Sequence, residues 1–332
     1  MMGASWLRIW FSLVTATLSL SPAILAAQSH SRNSSAPPRT AWGDSDLQGT
    51  FTNATITPFE RPAEFAGKAF LTEKESAELE ARAAKNRIDE PPREGETGTY
   101  NEFWDEPGTR AVSTRRSSLI IDPADGQIPP LTETAKKLIA ERTEIRREHA
   151  FDAPEYRPLN ERCIWRASTG PPIFPVAYNN NYRITQSPGY VVILSEMIHD
   201  ARIIPLDGRA HLPQNIRQYL GDSRGHWEGN TLVVETTNFN DQTRLEFGRP
   251  PFASIRGIGE KARVVERFTR SGADTIIYEF TIDDPVTYTK PWTVQTPWVK
   301  TAGSIFEYAC HEGNYAIQNV LSGARAADNT SR

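Results

Sequence analysis

From Tyr182 onward, runs of strand length follow one another, some with apolar and polar positions in period-two alternation, and Gly, Pro, Asn and Asp punctuate them. Residues Thr275 to Asp283 show the alternation most plainly. Ile276, Tyr278, Phe280 and Ile282 fall on one face, and Thr275, Glu279, Thr281 and Asp283 on the other, as successive strand side chains do. Similar runs at Leu232 to Phe239, Val264 to Arg270, Trp292 to Lys300 and Ile305 to His311 predict further strands. Tyr190 to Met197 is apolar at both parities, which predicts a strand covered on two sides. A short helix, with Pro213 in its first turn and Gly221 just past its end, is expected to interrupt them.

The N-terminal half reads differently. Leu71 to Ile88 is rich in Ala, Glu, Lys and Arg and carries a Thr72/Glu75 capping-box spacing, so it predicts a helix. Leu131 to Ala150 predicts a second, opening at Thr132. Both have thin apolar stripes and belong on the surface. Between them, Ser118 to Asp122 predicts a strand followed by an Asp125-Gly126 turn. The fold class is therefore mainly β: an antiparallel meander, as a lipocalin-like barrel or a strongly curved sheet, with two peripheral helices in the N-terminal half.

One earlier segment stands outside this pattern. Arg8 precedes an apolar run from Ile9 to Ala27, which gives way to polar sequence at Gln28. That is the layout of a secretory signal, so residues 1–27 are expected to be removed and the protein to be secreted or periplasmic. Residues 28–40 read as a flexible leader, 41–158 as a helix- and loop-rich region packing on the barrel, 159–325 as the antiparallel β domain, and 326–332 as a disordered tail. No later run is long enough to span a membrane.

Composition narrows the function. A net charge of −4 without a basic block argues against nucleic acid as a partner. No phosphate-binding loop, dinucleotide fingerprint or GxSxG elbow occurs, so no cofactor is expected. Cys163 and Cys310 are the two cysteines, and an even count in an oxidising compartment predicts a disulfide. The competing reading is a nucleophilic Cys310 beside His311, although neighbours on a strand point to opposite faces.

Candidate chemistry concentrates between Tyr178 and Glu228. His199, Asp200, Arg202, His226 and Glu228, with His311 from the C-terminal part, form a candidate acid/base set. Imidazole titrates near neutrality, a carboxylate can orient it, and Arg202 would stabilise developing negative charge. Tyr178, Asn180, Tyr182, Glu196, Trp227 and Tyr278 are candidate ligand-binding residues, and His211 lies in the same cluster. No HExxH, HxH or paired-Cys spacing appears, so no metal is expected. Each residue also has a purely structural reading: strand end, turn, or half-buried packing pair.

The stretches Tyr178–Tyr182, Glu196–His211, Leu220–Val234 and Tyr308–Tyr315 resemble a family of secreted bacterial proteins of unassigned activity, frequent in soil and aquatic bacteria. The resemblance spans about Ser117 to Arg325 and implies export, with no catalytic roles attached. The leading expectation is an exported β-barrel that binds a small, largely apolar or amphipathic molecule in an imidazole-lined pocket. The alternatives are a lyase, isomerase or hydrolase using His acid/base catalysis on that scaffold, or a structural module of the cell envelope.

Overall fold

Residues 38–85, 108–245 and 258–330 are described by a computed structural model. The expected signal and most of the leader lie outside these residues. The alternating runs become strands β3 (Asn181–Ser187), β4 (Tyr190–Ser195), β5 (Ala201–Pro205), β6 (Asp222–Glu228), β7 (Thr231–Thr237), β8 (Arg263–Arg270), β9 (Thr275–Asp283) and β10 (Trp292–Lys300). Upstream come β1 (Gly49–Thr52), β2 (Ile120–Asp122), α1 (Glu73–Lys85) and α2 (Glu133–Glu148), and α3 (Ala316–Thr330) follows β10.

Chain order builds two antiparallel meanders, β3-β4-β5 and β6 through β10. Short β1 joins them by pairing with both β3 and β10, placing Phe51 opposite Tyr182 on one side and Lys300 on the other. The path therefore runs β5-β4-β3-β1-β10-β9-β8-β7-β6, with β2 added along β10. Its ends, β5 and β6, meet through side chains: a Cβ on Gly225 would lie 2.7 Å from Leu206 and 2.9 Å from Ile204. The result is a nearly closed antiparallel barrel of the expected class.

The inward parity supplies the core. Ile276, Tyr278, Phe280 and Ile282 of β9 are buried, as are Trp292, Val294 and Trp298 of β10 and Val264 and Phe268 of β8. A Pro-rich segment, residues 167–175, fills the space between them. The Phe174 ring lies 5.1 Å from Phe280 and 5.5 Å from Phe59, and the Ile173 N–H donates to the Tyr278 hydroxyl at 2.9 Å. Its Gly170–Pro171 and Pro171–Pro172 peptides are cis. The lumen is thus occupied by the chain's own residues.

Both expected helices form. Thr72 Oγ1 accepts from the Glu75 N–H, and Glu75 returns the bond to the Thr72 N–H, completing the capping box. Lys68 and then the Thr72 N–H hold the Glu75 carboxyl down at about 2. Thr132 caps α2 by accepting from Ala135 N at 3.0 Å. The end of the first expected helix, residues 86–88, falls outside the described residues.

Four expectations need correction. The helix expected from Pro213 to Gly221 is an irregular loop, because the Asn238 side-chain amide takes the carbonyls of Leu212, Pro213 and Ile216 that a helix would use internally. The strand expected at Ile305 to His311 finds no ladder and runs as irregular chain. The expected tail is instead part of α3, whose start is satisfied by Asn314 Oδ1 accepting from Ala316 N at 3.1 Å. On β4, only Val191, Ile193 and Ser195 are buried, while Tyr190 is exposed and Val192 and Leu194 half-buried. Among the described residues no helix is long and apolar enough to cross a membrane.

Candidate functional site

Two polar centres lie at or near the start of β5, one inside the barrel and one at its rim. The inner centre begins with Glu266, which occupies an inward position of β8 between Val264 and Phe268. Arg202, inward on β5, meets it with both terminal nitrogens, Nη1 to Oε2 at 2.6 Å and Nη2 to Oε1 at 3.0 Å. The Tyr278 hydroxyl donates to Glu266 Oε1 at 2.7 Å. Burial would lower the Arg202 pKa, but the Glu266 carboxylate beside it raises it on balance, so the guanidinium keeps its charge. Burial, then the Glu266 charge, pushes the Tyr278 phenol well up.

This network corrects the reading of Arg202 as a stabiliser of developing charge. Its fork is closed on Glu266, and its buried Nε has no partner. Tyr182 and Tyr278, expected to line a ligand pocket, are fully buried core members. Tyr182 stacks on Trp298 with ring centroids 4.6 Å apart. Burial drives the Tyr182 phenol far up, and its hydroxyl faces Asn53 and Ser168 without reaching either in good hydrogen-bond geometry.

The rim centre is the turn from Glu196 to Asp200. Ile198 (φ 62°) and His199 (φ 46°) are consecutive left-handed residues, a conformation unfavourable for any side chain and most of all for a β-branched one. The turn is held in place by its surroundings. Ser195 N donates to Asp200 O at 2.8 Å, and His199 N donates to Glu196 O at 3.1 Å. The buried Glu196 carboxylate accepts from Asn181 Nδ2 at 2.7 Å and from Phe306 N at 3.1 Å, which ties residues 306–308 to the turn.

His199 Nδ1 lies 2.7 Å from the Tyr308 carbonyl oxygen. A carbonyl can only accept, so Nδ1 carries a proton and donates it to Tyr308, which leaves Nε2 as the ring nitrogen not engaged by that bond. The His311 ring stands edge-on to it, with centroids 6.4 Å apart. The next residue back, Cys310, is disulfide-bonded to Cys163 with Cα atoms 5.8 Å apart, which settles the cysteines in favour of the staple. Burial raises the Asp200 pKa, against the pull of Arg202 and His199. Phe306, 73% exposed, lies on the segment bonded to the turn.

The remaining candidates lie elsewhere or serve structure. His226 and Glu228 are on the outer face of β6, opposite in parity to inward Gly225. Glu228 sits 3.3 Å from His226 and 2.8 Å from Arg267, and its carboxyl is lowered by Arg267 first. Pleating therefore separates both from Arg202 by the barrel wall. Trp227 packs against the core. Asn180 bonds the backbone of Val176 in both directions, and Tyr178 lies under the Arg166 guanidinium. His211 is held by Asp222 at Nδ1 (2.9 Å), with Glu235 3.5 Å from Nε2. Away from the barrel, Arg142, Ile145, Arg146, Glu155, Tyr156 and Gln242 line a surface cleft of ≈ 340 Å³.

Two residues of these centres escaped the sequence reading, Glu266 and Phe306. A carboxylate between Val264 and Phe268 on the inward face of β8, which also carries Arg270 at its end, was the available signal for Glu266. Nothing local marks Phe306. No family model, curated protein or solved structure matches the chain at a significant level.

Proposed function

We propose that this is an exported binding protein for a small amphipathic molecule with an acidic head, held at the barrel rim. His199 and His311 receive the head, and Phe306 with its neighbours receives the apolar part. The observation that carries the reading is the convergence of the two imidazoles at a turn held in an unfavourable conformation. Such strain persists only where the surroundings over-determine it, and it concentrates at binding and catalytic positions. The filled lumen supports a binding surface at the rim rather than in the interior expected of a small barrel. The disulfide beside His311 is consistent with an oxidising compartment.

The test is a thermal-shift screen of fatty, terpenoid and aromatic acids against the wild type, His199→Ala and His311→Ala. Stabilisation of the wild type that falls at least tenfold in affinity in each variant is expected. A panel without any shift, or with equal shifts in all three proteins, counts against the reading.

The Nε2 of His199, on the side of the ring away from its bond to Tyr308, favours a second reading, an enzyme in which that nitrogen is a general base. It predicts that a bound acid exchanges an acidic C–H for deuterium in heavy water, and that His199→Ala abolishes the exchange while retaining the fold.

A further inference from the structure

We infer that Arg61 and Arg116 form a second docking point, an oxyanion site for a carboxylate or phosphate head whose apolar part lies on Phe70. The site shares no residue with the rim and stands without it. Its starting point is an imbalance of charge. Guanidinium groups withdrawn from water are normally paired with a carboxylate, because a solitary buried charge is costly. Arg202 obeys this rule through Glu266, and Arg142 through Asp241. Arg61 is only 8% exposed and Arg116 is half-buried, yet among the described residues neither forms an ion pair.

Local structure fixes both groups. Arg61 Nε donates to Ser117 Oγ at 3.0 Å and Nη1 to the Ala124 carbonyl at 2.9 Å, so the fork is aimed before a ligand arrives. Ser117 follows Arg116, whose backbone bridges that of Phe70. Leu71 N donates to the Arg115 carbonyl at 2.7 Å and Ser117 N to that of Ala69 at 3.1 Å, which holds the bridge on both sides. The Arg116 guanidinium then lies over the Phe70 ring, with Cζ 4.8 Å from its centroid.

The electrostatics point to an anion. Burial lowers the Arg116 pKa, the Glu279 charge opposes this, and the Arg61 charge adds to it. Glu279 accepts from Gln295 at 3.2 Å and pairs with neither arginine. The buried Arg116 Nε has no hydrogen-bond partner. Lys68, whose carbonyl accepts from Ser117 Oγ, is already paired with Glu75. An oxyanion between the two guanidinium groups relieves their repulsion and takes charge-assisted hydrogen bonds from both. Phe70 is 54% exposed, so a ring or short chain attached to that anion has an apolar surface to cover.

The experiment is calorimetric titration, at low ionic strength, of the disulfide-intact His199→Ala/His311→Ala protein, in which the proposed rim contacts are gone. The probes are phenyl phosphate, benzoate and inorganic phosphate. One phenyl phosphate or benzoate per chain is expected, and the tighter of the two identifies the head group. Adding Arg116→Gln, or Arg61→Lys, which keeps the charge but removes the fork, should weaken it roughly tenfold or more. Phe70→Ala should remove the advantage of phenyl phosphate over inorganic phosphate. Circular dichroism confirms that each variant is folded. No binding of any probe, or equal binding after Arg116→Gln, overturns the site. Binding present in the wild type and lost in the double histidine variant also overturns it, because the acid then sits at the rim. Failure of the rim reading leaves this titration unchanged, since both histidines are already absent from it.

Discussion

Glu266 shows what one residue can decide. Its carboxylate is fully buried, and the bidentate contact with Arg202 and the Tyr278 hydroxyl is what makes that burial tolerable. Removing one partner leaves the other charge stranded, so Glu266→Ala is expected to lose about 3–5 kcal/mol in urea unfolding, with Arg202→Met/Glu266→Leu recovering most of it. The position was readable as an anomaly on an alternating strand. Its partner was not, because Arg202 lies 64 residues away and reaches it across the lumen.

The buried tyrosines give a second prediction at this scale. Folding raises the pKa of both Tyr182 and Tyr278 above the ordinary value near 10, so the unfolded chain ionises first as pH rises. Stability is then intact below about pH 10 and falls above it, by about 1.4 kcal/mol per pH unit for each tyrosine. Urea midpoints between pH 8 and 11 should show Tyr182→Phe losing about half the alkaline slope of the wild type.

At the scale of elements, the sequence spoke clearly wherever a few consecutive residues decide the outcome. Thr132 illustrates it: it caps α2 and also donates to the Val286 carbonyl, tying the helix to the chain before β10. Thr132→Ala should cost about 1 kcal/mol and Thr132→Ser much less, measured by chemical denaturation. The misreadings were elements whose state depends on a distant partner. β1 is only Gly49–Thr52 and has no alternation long enough to detect. It is a strand because β3 and β10 stand on both sides of it. The loop after Pro213 has a plausible helix start, yet Asn238 from beyond β7 captures its carbonyls. Residues 305–311 alternate like a strand but meet no edge to pair with.

For the whole molecule, the Cys163–Cys310 bond closes a sequence separation of 147 residues and joins the chain before β3 to the segment beside the rim. Cys163→Ser/Cys310→Ser is expected to lower stability by about 4–5 kcal/mol in the loop-entropy account. It should also weaken acid binding at the rim, because His311 loses its anchored neighbour. Reductant should destabilise the wild type alone.

The alternation, capping residues and turn signals of this chain determined that it forms a β-meander with two surface helices, because those signals act between near neighbours. The even cysteine count likewise pointed to the staple. Only the tertiary structure decided that β1 joins two meanders into one nearly closed barrel, that the lumen is filled by residues 167–175, and that Arg202 serves Glu266 rather than a substrate. It also decided which histidines meet. His199 and His311 are brought together by hydrogen bonds from a turn to a segment more than a hundred residues later, while pleating sends His226 to the other face. Contacts at that separation form only once the chain is folded, and no local pattern encodes them.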